Sequence, residues 1–174
     1  MRSLRLFFAL WPSDEVRARI VRATSGSIRE GGGRPVPTAN LHVTLLFLGE
    51  TDARRLDKLT SDAALVVAQP FELFFDAIET WSRSRVLCLT CRRPPSAASD
   101  LALALETALA ARDSKRRDHA FRPHVTLARD ARPLPETVIE PLDWRVSDFV
   151  LVESNMTKTG SQYSVIGRWP LRAA

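Results

Sequence analysis

Asn40-Leu41-His42-Val43-Thr44-Leu45-Leu46-Phe47-Leu48-Gly49-Glu50 and Phe121-Arg122-Pro123-His124-Val125-Thr126-Leu127-Ala128-Arg129 decide the reading of this chain, because both contain His-Val-Thr-Leu. The chain has three histidines, and two of them sit in these copies. Side chains alternate between the faces of an extended strand, so residues i and i+2 point the same way. His42 and Thr44 therefore share a face on one strand, and His124 and Thr126 share a face on another. Two imidazoles, each beside a hydroxyl, can move two protons around a phosphate.

The surroundings of the two copies match. Arg5 opens a strand, a helix follows, and His42 comes next on a second strand. Arg85 opens a strand, a helix follows, and His124 comes next at nearly the same remove. Each half reads strand–helix–strand. The expectation is an α+β fold that is bilobal: two pseudo-two-fold-related lobes, with antiparallel sheets flanked by helices and a central cleft between the motifs. Residues 1–174 would then form one domain made of two duplicated lobes.

The remaining segments fit that frame. The first strand is Arg5–Leu10, followed by a helix capped by Ser13 with Asp14 and Glu15 in its first turn. Gly31-Gly32-Gly33 ends the helix. The motif strand Leu41–Leu48 is expected to stop at Gly49. A second helix is expected over Asp52–Ala68, and a strand pair over Phe71–Thr80 and Arg85–Cys91. Arg92–Ser99 reads as a loop and Asp100–Arg112 as a buried helix. Lys115–Asp118 reads as a charged turn, Asp130–Glu136 as a loop, and Trp144–Ser154 with Gln162–Trp169 as a closing hairpin over Thr159-Gly160.

Composition excludes several classes. The 174 residues are 45% hydrophobic and 26% charged, ordinary values for a globular domain. No apolar run approaches the roughly 20 residues of a membrane helix, and Leu6–Trp11 is cut by Pro12, a buried strand and not a signal peptide. Net charge is +5, and all the basic residues except Lys58, Lys115 and Lys158 are arginines, compatible with a phosphate-bearing partner. Cys88 and Cys91 lie in a strand pattern with no second cysteine pair, so they read as reduced packing residues of a cytoplasmic protein.

In this scheme one histidine takes a proton from attacking water and the other gives one to the leaving oxygen, with Thr44 and Thr126 donating to the non-bridging oxygens. No metal or other cofactor is required. Arg129 ends the second motif strand, where alternation aims it away from His124 unless the strand end curls into the cleft. Phe7 and Phe8 point to opposite faces, and one of them could stack on a base. His119 is expected to be exposed and inessential.

The two His-x-Thr strings, with Arg5–Leu10 before the first and the Leu151–Leu171 stretch at the end, resemble the 2H phosphoesterase superfamily. Within it they resemble the bacterial RNA 2′,3′-cyclic phosphodiesterases, first described as 2′–5′ RNA ligases. The resemblance implies metal-independent hydrolysis of an RNA terminal 2′,3′-cyclic phosphate to a 2′-phosphate. It implies His42 and His124 as the catalytic pair, Thr44, Thr126 and Arg129 at the substrate, and a monomeric protein whose partner is RNA or an oligonucleotide ending in a cyclic phosphate. By this likeness His124 would be the base on water and His42 the acid. Activity on 2′–5′-linked oligonucleotides, on ADP-ribose cyclic phosphate or in reversible 2′–5′ ligation, and RNA binding without turnover, are the alternatives.

Overall fold

The computed structural model describes residues 2–109, 121–157 and 160–172. His119, the turn at Lys115–Asp118, the end of the helix expected to reach Arg112, and Thr159 lie outside the described residues.

Strand β1 (Ser3–Leu10) alternates strictly: Leu6, Phe8 and Leu10 enter the main core, and Phe7 and Ala9 face the other side. Helix α1 (Asp14–Gly31) begins as the sequence predicts, with the Val16 N–H donating to the Ser13 hydroxyl at 3.3 Å. It ends at Gly32, whose φ of 61° suits a residue without a side chain. A two-residue strand, β2 (Arg34–Pro35), precedes the first motif strand, β3 (Val43–Asp52). Next come helix α2 (Leu56–Ala64), strands β4 (Phe71–Trp81) and β5 (Val86–Thr90), helix α3 (Ser96–Ala108) and the second motif strand, β6 (His124–Arg129). Strands β7 (Thr137–Val146), β8 (Asp148–Thr157) and β9 (Gly160–Pro170) complete the chain.

The sheet is antiparallel throughout, in the order β7-β4-β5-β6-β3-β1-β8-β9. Each half is four strands with its motif strand innermost. The halves meet at one backbone pairing, Val43 opposite Val125, the same position of each motif. The expected pair of sheets is thus one sheet pinched at its middle. Beyond the pinch β3 and β6 diverge, and β2 pairs with the end of β6. The helix-side core is continuous, with Phe8, Leu45, Leu89, Leu101, Leu127 and Phe149 fully or almost fully buried. Burying a side chain of this size contributes roughly 1.5–3 kcal/mol.

Four boundaries differ from expectation. Gly49 does not stop β3: its φ of 69° forms a bulge, after which pairing resumes to Asp52. The second helix ends at Ala64, short of Ala68, where a β-branched pair and Pro70 follow. Helix α3 starts four residues early, directly after Pro95, which cannot lie inside it. Trp144 belongs to β7, an edge strand interrupted at Pro141, and Ser147 separates it from β8. Edge strands tolerate proline because one side needs no donor.

Candidate active site

Both motif histidines are held in the same way. A carbonyl can only accept, so Nδ1 carries the hydrogen in each ring. His42 donates it to the Asn40 carbonyl at 2.7 Å, and His124 donates it to the Arg122 carbonyl at 2.8 Å. In the neutral His42 ring Nε2 is then an acceptor, and the Thr44 hydroxyl lies 3.0 Å from it. Each ring is thereby fixed in one tautomer by the residue two positions before it.

Each imidazole also rests on aromatic carbon. His42 lies 4.9 Å from Phe7, 5.4 Å from Tyr163 and 5.7 Å from Trp11, the last stacked at 20°. His124 lies 4.3 Å from Trp81. Arg17 sits over Trp11 at 5.2 Å, and Arg122 over Trp81 at 5.5 Å. Arg122 also pairs with Glu79 at 2.6 Å. Burial among these rings, opposed only by the Asn40 hydrogen bond, pushes the His42 pKa down to about 4; the positive charges of His124, Arg129 and Arg17 add to the depression.

A shared irregularity sets what surrounds them. On β3, Ala9 pairs with Thr44 and Phe8 with Leu46, skipping Leu45. On β6, Cys88 pairs with Thr126 and Leu87 with Ala128, skipping Leu127. Both motifs carry a bulge at their leucine, so Leu45 with Leu46, and Leu127 with Ala128, are buried consecutively. The extra residue reverses the alternation. Arg129 therefore returns to the face of Thr126, where a regular strand would turn it away.

Two adjoining recesses share this face. One, of about 350 Å³, is lined by Phe7, His42, Thr44, Phe47, Thr126 and Arg129, among others. The other, of about 370 Å³, shares His42, Thr126, Arg129 and Tyr163 with the first and adds Arg34 and Asn40. Of the expected site residues, His42, Thr44, Thr126 and Arg129 line a recess together, whereas His124 lines neither of the two. Gly33, with φ of 78°, lets β2 cross so close to β6 that a Cβ there would lie 2.3 Å from the Arg129 carbonyl.

Asn40, Trp11, Phe47 and Tyr163 also belong to the site, and the sequence pattern does not single them out. The available signal is the paired apolar residues after each threonine, which break a two-residue period. Phe7 and Phe8 are 3% and 0% exposed, so neither offers a face to a base. Cys88 and Cys91 are free and buried, with burial raising each thiol to about 12. No helix among the described residues is long and apolar enough to cross a membrane.

The chain is similar to known proteins over nearly its whole length. The family model for the 2′-5′ RNA ligase superfamily matches residues 12–157. The chain is 34% identical over 169 residues to the RNA 2′,3′-cyclic phosphodiesterase of Escherichia coli K12, covering 96% of each. It is 31% identical over 180 residues to the enzyme of that name from Thermus thermophilus, covering 97% of this chain and 91% of that one. The crystal structure of E. coli LigT complexed with 3′-AMP superposes with a TM-score of 0.89 at 32% identity, covering 99% of this chain and 100% of that one. The motifs, the strand order and these matches lead to one assignment: the chain belongs to the 2′-5′ RNA ligase superfamily of 2H phosphoesterases.

Proposed function

We propose that the protein hydrolyses the terminal 2′,3′-cyclic phosphate of RNA to a 2′-phosphate, with His42 and His124 as the acid–base pair. The observation that carries this is the matched anchoring of the two rings. Each Nδ1–H is committed to a backbone carbonyl, so proton exchange with the substrate falls to Nε2, which on His42 first has to give up the Thr44 hydroxyl 3.0 Å away. Water attacks phosphorus as its proton passes to His124. The bond from phosphorus to the 3′ oxygen breaks, and His42 delivers a proton to that oxygen, leaving the phosphate on the 2′ oxygen. Thr44, Thr126 and Arg129 hold the non-bridging oxygens as charge grows on them. These groups supply every proton and donor the step uses, so the scheme draws on no metal.

The low His42 pKa sets a condition. The ring is neutral in the free protein at pH 7 and must gain its proton with the bound phosphate anion. Surroundings that disfavour the imidazolium then favour its release to the leaving oxygen. We further infer one domain of two duplicated lobes, a monomer because both histidines come from one chain, and a cytoplasmic setting consistent with two buried free thiols.

The test is turnover of an oligonucleotide ending in a 2′,3′-cyclic phosphate, in EDTA, with end-group identification. The expected product is the 2′-phosphate. A 3′-phosphate product, or no turnover without added metal, would overturn the reading.

A further inference from the structure

Phe47 stands on β3 where Arg129 stands on β6, each three residues past the motif threonine and each returned to the site face by the bulge at the intervening leucine. One half of the cleft thus presents a cation at this position and the other presents an aromatic ring. Phe47 is 48% exposed, while Phe7, the neighbouring phenylalanine in the same recess, is 3% exposed. The Arg5 guanidinium lies over the Phe47 ring at 5.2 Å and lines the same recess. A half-exposed ring with a cation over it, lining a recess with Thr44, Thr126 and Arg129, is a surface for a flat aromatic ligand attached to an anion.

We propose that Phe47, braced by Arg5, is the platform on which the base of the terminal nucleotide stacks. This deepens the reading above and rests on it for the identity of the ligand. A recess of about 350 Å³ falls within the size range of small-ligand sites. Threonine and Arg129 contacts recognise only phosphate, so they do not distinguish a nucleotide from a free anion. Phe47 supplies that distinction through the π-face that all four bases share. Discrimination among bases is therefore weak, with purines favoured by their larger overlap.

The test compares two probes, adenosine 2′-monophosphate and inorganic phosphate, by calorimetric titration against the native protein, Phe47→Ala, Phe47→Trp and Arg5→Gln. Phe47→Ala is expected to weaken nucleotide binding by about 5- to 150-fold and to leave phosphate binding unchanged. Phe47→Trp restores the nucleotide affinity, and Arg5→Gln gives a smaller loss in the same direction. Equal losses for both probes, or no loss for the nucleotide, would overturn the platform. If either alanine or glutamine variant fails to fold, Phe47→Trp decides: native-like or tighter nucleotide binding supports stacking, and a loss equal for both probes refutes it. A native protein that binds the nucleotide through Phe47 yet does not open a cyclic phosphate would remove the proposed reaction and leave the platform standing.

Discussion

The charge on His42 should change when an anion enters the cleft. Its pKa lies near 4, against an ordinary 6.5, a depression equivalent to about 3 kcal/mol of disfavour for the imidazolium. At pH 7 roughly one free molecule in a thousand carries that proton. A phosphate charge about 4 Å from the ring, at an effective dielectric near 20, contributes about 4 kcal/mol in the opposite sense. The two effects are of similar size, so saturating phosphate should lift the His42 titration to about its ordinary value. Long-range proton–nitrogen NMR of the imidazoles follows this directly, in titrations with and without inorganic phosphate. The free protein should show the neutral tautomer with hydrogen on Nδ1 down to about pH 5. A free His42 that titrates near 6.5, or one that phosphate leaves unmoved, would refute the electrostatic argument and with it the acid role. The same depression predicts a stability slope. The unfolded chain takes up a proton below pH 6.5 that the folded ring refuses until about pH 4. Stability therefore falls across that window by up to about 3 kcal/mol as pH drops, and His42→Asn should flatten this part of the curve in denaturant titrations.

Replacing either His42 or His124 by Ala should lower kcat/KM by about 10²–10⁴-fold in steady-state assays; a variant with native activity would exclude the pair. Thr44→Val and Thr126→Val keep shape and remove the hydroxyl, and each should cost about 10- to 1,000-fold in kcat, with circular dichroism unchanged. Gly33→Ala forces a side chain against the Arg129 carbonyl at a φ of 78° and should destabilise the protein by about 1–3 kcal/mol, seen as a lower denaturation midpoint. Normal stability in that variant would show that β2 can move away from β6 at little cost.

Much of this site is legible in the sequence because its chemistry is repeated. Two His-x-Thr strings on strands of similar context put each histidine on the face of its own threonine, and the pairing of Val43 with Val125 sets the two motif strands next to each other. The bulges at Leu45 and Leu127 are harder to see. A bulge is a property of two strands in register, and one strand's residues read alone cannot show which residue is skipped. Arg129 and Phe47 owe their place to those bulges, so alternation alone leaves the first ambiguous and gives no sign of the second. Tyr163 and Trp11 reach His42 from other parts of the chain, contacts that no local pattern encodes. Strand β7 is only partly visible because Pro141 interrupts its period, which an edge strand accommodates.

The pH dependence of kcat/KM on an oligonucleotide 2′,3′-cyclic phosphate, measured in EDTA, tests most directly whether paired imidazoles do the work. The account predicts a bell with one ionisation on each limb. A rate that is level across pH 5–9, or that rises along a single limb, would contradict it.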